Sequence, residues 1–350
     1  MAILRLSGSL QRRVYGKFPS VSINNTDSGI VEVHQPSVLS SDICYQVGSI
    51  DRQKRDQVVW CEERLLDKGK FPMVAINNND PAIVVEVHEG RILRRIYCRV
   101  GILNGQYIDW ELPKPKYLCF GRFPAVAIHE NRVVVTFDSA HFTYTTHYCM
   151  GVINPDKTVN WKVTKGGLFS SGVTETSVTM NAEYVLAGGR GWTSIVYRFG
   201  QIQGDVARIE WLNEVRYNHI GYCPTISLDS DGCVIMAWQS LTLRRLSYVT
   251  GRVTQNGTSI KWGCATPYDY GYNPTIAISP NNGRVLEEHE TNFAPRRCTL
   301  HYHTAILQKE AAAEAEQPEA EQPEAQVIPE REVAVLENGL EMEVIQQQPQ

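Results

Sequence analysis

Three Glu-x-His pairs offer the first chemistry in this sequence: Glu32/His34, Glu86/His88 and Glu287/His289. In an extended strand, residues two apart share a face, so each carboxylate and imidazole point the same way while the residue between points the other. A carboxylate beside an imidazole can both accept and donate hydrogen bonds to sugar hydroxyls. Histidines from neighbouring elements can also ligate a metal. The same pair has a plainer use, satisfying loop amides or a neighbouring indole N–H. The corresponding positions elsewhere read as Thr136/Asp138, Gly188/Arg190 and Ala237/Gln239, which breaks any ring of identical sites. Trp192, in Gly188-Gly-Arg-Gly-Trp, adds an aromatic on a glycine-rich loop, suited to stacking on a sugar face or anchoring a protein partner. The expected ligand contacts are therefore Glu32, His34, Glu86, His88, Trp192, Glu287 and His289. A nucleophile elbow, a phosphate loop and a Cys-x-x-Cys motif are all missing, so no enzyme, no cofactor and no metal is expected.

The elements that must position these residues repeat. Segments opening on Gly16, Gly69, Gly121, Gly172, Gly221 and Gly271 share an apolar alternation, and five of them carry proline three residues on. Trp60, Trp110, Trp161, Trp211 and Trp262 keep the same beat of about 50 residues. Each repeat holds four short alternating runs separated by turn residues; in the second they are Met73–Asn77, Ile83–His88, Ile96–Leu103 and Ile108–Trp110. Four strands per 50 residues, repeated, predict an all-β fold, a β-propeller of four-stranded blades. Five complete repeats, three further strands and one leftover strand at Ile3–Leu10 give six blades, with Ile3–Leu10 closing the ring. Because Ile3–Leu10 is more like a third strand, a seven-bladed ring that has lost part of one blade fits the same residues.

The repeats resemble a lectin-type propeller family that includes the bacterial fucose-binding propeller lectins, with tectonin-like propellers a looser analogue. Val84-Val-Glu-Val-His88 with Tyr97-Cys-Arg-Val-Gly101, and Ile260-Lys-Trp-Gly263 with Tyr268-Asp-Tyr-Gly-Tyr-Asn-Pro274, carry the resemblance. It implies carbohydrate recognition through pockets between blades. The alternative is a protein-interaction scaffold that uses a propeller face and the C-terminal segment. Ser227-Leu-Asp-Ser-Asp-Gly is similar to the aspartate box of sialidases but departs from its spacing.

Charge divides the chain. Residues 308–350 hold eleven Glu against Lys309 and Arg331, a net of −9, which leaves +5 for residues 1–307 out of the total of −4. The Glu/Ala/Gln/Pro-rich segment lacks the apolar content to offset its chain entropy, so 308–350 is expected to be a disordered acidic tail on a 1–307 propeller. A net of +5 spread over separate arginine pairs gives no case for nucleic acid, and no apolar run is long enough for a membrane span. The N-terminal residues lack the pattern of a signal peptide, so a cytoplasmic location with reduced thiols is expected.

Overall fold

The structure, a computed structural model, describes residues 11–308 apart from 38, 52, 54–56, 112–114, 141–144, 204–207, 242–243, 255–256 and 292–297, with backbone alone at 12 and 163–169. The expected tail, 308–350, and the expected closing strand Ile3–Leu10 lie outside these residues save for Gln308.

All regular elements among the described residues are strands. After β1 (Gln11–Tyr15), the first repeat supplies β2 (Lys17–Ile23), β3 (Ile30–Gln35), β4 (Asp42–Asp51) and β5 (Gln57–Trp60). The second supplies β6 (Arg64–Ile76), β7 (Ile83–Gly90), β8 (Arg95–Asn104), β9 (Tyr107–Trp110) and β10 (Lys116–Phe120). The third has β11 (Arg122–His129), β12 (Arg132–Asp138), β13 (Thr145–Ile153) and β14 (Val159–Ser171). The fourth has β15 (Thr174–Met180), β16 (Tyr184–Arg190), β17 (Ile195–Gln203), β18 (Arg208–Trp211) and β19 (Val215–Tyr217). The fifth has β20 (Gly221–Leu228), β21 (Cys233–Ser240), β22 (Arg245–Val253), β23 (Ile260–Trp262) and β24 (Thr266–Tyr270). The last has β25 (Tyr272–Ile278), β26 (Arg284–Glu290) and β27 (Thr299–Ile306).

The arrangement is an all-β propeller, but six separate four-stranded sheets are not what the hydrogen bonds outline. They form four sheets of four or five strands and one sheet of nine. The cause is β6, which runs unbroken from Arg64 to Ile76. Its first half pairs with β4 of the preceding repeat and its second half with β7 of its own. The first strands of successive repeats neighbour one another in a closed circuit, β2 to β6, β11, β15, β20, β25 and back to β2. An apolar cluster fills each junction of that circuit; Val33, Val47, Val74 and Val84 belong to one, and Val21, Ile23, Ala277 and Leu286 to another.

In the last repeat β1 pairs antiparallel with β27, so the first and last described strands lie side by side in one sheet. Among the described residues, the edge of this sheet is closed by Gln11–Tyr15. This pairing covers an edge that would otherwise expose unpaired backbone groups.

Repeated glycines and tryptophans have a shared packing reason. The third-strand glycines Gly48, Gly101, Gly151, Gly200 and Gly251 leave room for the indoles of Trp60, Trp110, Trp161, Trp211 and Trp262, which lie within 3.0 Å of where a Cβ would stand. Tyrosines of the preceding repeat then meet several indoles edge-on, as Tyr45 meets Trp110 at 5.9 Å and Tyr197 meets Trp262 at 5.8 Å.

Candidate functional site

Strand pairing fixes which residues are equivalent to the Glu-x-His pairs. Val21 faces Glu32 and Val74 faces Glu86, and the matching partners are Val126/Val135, Val178/Ala187, Ile226/Met236 and Ile276/Glu287. The equivalents in the third to fifth repeats are thus Val135/Phe137, Ala187/Gly189 and Met236/Trp238, one residue earlier than the sequence alignment expects. Valine-rich second strands are apolar on both faces, so alternation alone leaves the register free by one residue. Trp238, which looks out of phase in the sequence, stands where His34 stands in the first repeat.

The histidine position has a steric partner. A Cβ on Gly16, Gly69, Gly121, Gly221 or Gly271 would come within 2.7 Å of a ring carbon of His34, His88, Phe137, Trp238 or His289 respectively. Each repeat-opening glycine is the hollow that receives a flat ring from the second strand. In the fourth repeat the roles are exchanged: Val173 is the opening residue and Gly189 faces it, so the opening position there is 173 and not 172.

All six residues of the Glu-x-His pairs are at most 1% exposed. Within each pair the imidazole Nδ1 sits on its own strand's carboxylate, at 3.0 Å for His34 and Glu32, 2.9 Å for His88 and Glu86, and 3.1 Å for His289 and Glu287. Their outer surroundings differ. His34 Nε2 lies 3.3 Å from Glu63, His88 stacks on Tyr97 at 5.6 Å, and His289 Nε2 lies 3.6 Å from Asp269. Glu86/His88 and Glu287/His289 each stand in a junction of their own, the latter against Asp269 of the fifth repeat, while Glu32/His34 stands at the seam of the last and first repeats.

At that seam Arg13, from the closing strand β1, is the shared cation. Its guanidinium reaches Glu32 and Glu288 at 2.5 Å each, donates through Nε to Gln46 at 3.0 Å, and lies 4.3 Å over the Trp60 ring. Its side chain is only 2% exposed, so Arg13 belongs to the interior. Lys17 adds a second buried bridge to Glu290 at 2.9 Å. Burial alone disfavours the charged form of Glu32, yet Arg13 and His34 hold its carboxyl below the usual range. Burial likewise pulls against the His34 proton, but the Glu32 carboxylate outweighs it and raises the imidazole to about 9. Glu288 is pushed up to about 7, mainly by burial and by Glu32, against the pull of Arg13.

A different site lies on the ring axis. In every repeat the first strand carries a bulge at its start, as between Lys17 and Ser20 or between Lys70 and Met73. The bulge places Phe18, Phe71, Phe123, Glu175, Cys223 and Asn273 at φ between 45° and 54°. Their side chains line an axial cavity of about 280 Å³. One half of its wall is aromatic, with Phe18 and Phe71 centroids 4.7 Å apart and Phe71 and Phe123 4.5 Å apart. The other half is polar, formed by Glu175, Cys223 and Asn273.

The bulged backbone is held from the preceding repeat. Glu290 accepts from Phe18 N–H at 2.8 Å, Gln35 from Phe71 N–H at 3.1 Å, and Asp138 from Glu175 N–H at 3.2 Å. Glu175 then accepts from Cys223 N–H at 2.8 Å and from Arg190 at 3.0 Å. Burial raises Asp138 to about 7 in spite of these hydrogen bonds. Trp192 is 75% exposed on the loop two residues past Arg190, at the end of the ring where the cavity opens. The three phenylalanines carry a visible signal in the sequence, the thrice-repeated Gly-Lys/Arg-Phe-Pro; Arg13, Glu175, Asp269 and His303 have none.

Neither a family model nor a curated protein matches this chain. Solved structures do. The chain is similar to a Trypanosoma rangeli sialidase at 12% identity and TM-score 0.53, over 83% of this chain and 55% of that one. It is similar to the Hadza microbial sialidase Hz136 at 11% identity and TM-score 0.55, over 83% and 65%. A subtype N10 neuraminidase-like protein of A/little yellow-shouldered bat/Guatemala/060/2010 matches at 9% identity and TM-score 0.51, over 87% and 99%. This chain thus spans less than two thirds of the two sialidase chains it matches. At such identities the likeness shows the β-propeller fold. It also overturns the expectation that the chain is no enzyme, because sialidases are enzymes and the shared fold gives no ground for excluding catalysis. No helix among the described residues is long and apolar enough to cross a membrane.

Proposed function

We propose that residues 1–307 form a six-unit, carbohydrate-directed propeller of the lectin-type repeat, in which the nine-stranded sheet counts as two units and the ligand occupies the axial cavity. One observation carries this: six equivalent bulges arrange three phenylalanines opposite Glu175, Cys223 and Asn273 around about 280 Å³. A sugar ring has an apolar C–H face and a polar edge, and this wall offers a partner for each. The matched sialidases and neuraminidase-like protein favour a glycan as the ligand class. Trp192 supplies a further stacking surface beside the opening, and the buried Glu-x-His pairs hold neighbouring units in place behind it.

The test is a glycan array with the full chain, followed by calorimetry and a sugar-release assay on each hit, so that binding and turnover are read together. Phe71→Ala and Glu175→Gln should each weaken every hit; hits that both variants retain would count against the axial cavity.

A second proposal is favoured by the surface. Leu39, Ile92, Leu93 and Leu241 are 72%, 74%, 62% and 46% exposed, all on loops between second and third strands at the same end as the cavity. Such apolar tips suit a protein partner. An empty glycan array together with a partner lost on Leu39→Asp and Ile92→Asp would put the scaffold reading first.

A further inference from the structure

We propose that Asp269, His289 and His303 form a site for a divalent transition metal of the zinc class, at the junction of the fifth and last repeats. The site is independent of the axial cavity.

Three strands converge there. Asp269 lies on β24 opposite Leu246, His289 on β26 and His303 on β27, where it faces Glu287. Asp269 Oδ2 is 3.1 Å from His303 Nε2 and 3.6 Å from His289 Nε2, and one donor atom from each residue lies within 4.8 Å of the others. The two imidazoles are nearly parallel, 21° apart, with centroids at 5.9 Å. Two imidazole nitrogens and one carboxylate oxygen are a donor set suited to zinc and its neighbours, and they leave a coordination position for water.

The orientation of His289 is the second, independent observation. Both oxygens of Glu287 lie 3.1 Å from its Nδ1, so that nitrogen carries the hydrogen and donates it to Glu287. Its Nε2, on a residue fully buried from solvent, has no hydrogen-bond partner and faces Asp269. A carboxylate that fixes the far nitrogen while the near one presents its lone pair is how metal-binding histidines are oriented. Glu287 is itself held by Tyr268, whose hydroxyl donates to it at 2.7 Å. Two neutral imidazoles with the Asp269 and Glu287 carboxylates leave two negative charges to balance a dication. Asp269 is 23% exposed, which supplies the entry path.

The neighbouring cluster of His34, Cys44 and Glu63 serves as the control. It has the same compactness but holds a thiol that burial, followed by Glu63, pushes up to about 12.

The experiment uses the full chain, stripped with a chelator and titrated with Zn²⁺ by calorimetry and with Co²⁺ by visible absorption. One equivalent should bind. Asp269→Asn should weaken binding at least 100-fold, and Glu287→Gln about 10- to 100-fold by releasing the orientation of His289. Cys44→Ser should leave it unchanged. Asp269 is partly exposed, so its amide keeps the fold, checked by an unchanged melting temperature of the chelated protein; His303→Gln is the second variant. Unaltered stoichiometry and affinity in Asp269→Asn and His303→Gln, loss of the site in Cys44→Ser, or no Zn²⁺ bound by the stripped chain would each overturn the assignment.

Discussion

Val173 occupies the hollow that Gly189 leaves: a Cβ on Gly189 would lie 2.5 Å from Val173 Cγ1. In the other five repeats the large and small partners stand the other way round, with glycine on the first strand and a ring on the second. Volume at this contact is conserved across the ring although no residue is.

Exchange of these partners gives a direct test of that packing. Val173→Gly should cost about 2–4 kcal/mol through the cavity and the added chain freedom. Gly189→Phe alone should overpack and cost about 1–3 kcal/mol or more. The double variant restores the arrangement of Gly121 and Phe137, so its loss should fall short of the sum by more than about 1 kcal/mol. Denaturant unfolding of the four proteins measures the coupling; additive losses would refute the packing assignment.

Removal of Arg13 should open the ring at its seam. Arg13→Ala strands Glu32 and Glu288 in the interior without their cation, and loss of one partner from a buried pair costs about 3–5 kcal/mol. The same change should raise the protease sensitivity of β1, read by cleavage at the N-terminal end before global unfolding. A stability change within about 0.5 kcal/mol would show that the bridges do not close the ring.

Stability should fall as pH rises, over an upper window set by His34 and a lower window that Asp138 shares with Glu288. His34 is raised from 6.5 to about 9 in the folded chain, so its contribution is full below pH 6.5 and is lost as pH rises through 9. Asp138 is raised from 3.8 to about 7, so the folded state prefers its protonated form, and that stabilisation is lost between pH 3.8 and 7. His34→Gln should flatten the slope in the upper window and Asp138→Asn in the lower. Unfolding free energies at a series of pH values would give curves parallel to wild type if neither group is responsible.

The repeat was legible because two markers, glycine and tryptophan, mark the same contact: the third-strand glycines receive the fourth-strand indoles, and the opening glycines receive second-strand rings. The register of the third to fifth repeats was not, since Val133, Val134 and Val135 are all fully buried and offer no polar residue to tell one face from the other. Blade separation was hidden in β6, whose residues give no sign that one strand serves two repeats. The Glu-x-His pairs were visible as pairs, but their partners come from elsewhere in the chain, Arg13 and Asp269 from β1 and β24 and Glu63 from the loop before β6. Only pairing across the sheets assembles them. The axial phenylalanines were in plain view as Gly-Lys/Arg-Phe-Pro, while the bulge that turns them to the axis appears only as positive φ.

The central claim, a sugar held between the phenylalanines and Glu175 on the ring axis, is tested most directly by calorimetry of the strongest array glycan against wild type, Phe71→Ala and Glu175→Gln. Wild type should bind one glycan per chain. Each variant should lose about 10-fold or more in affinity, the loss of roughly 1.4 kcal/mol expected for one stacking or charge-assisted contact. Six equivalents per chain, or one equivalent with affinity unchanged in both variants, would place the ligand away from the axis and contradict the account.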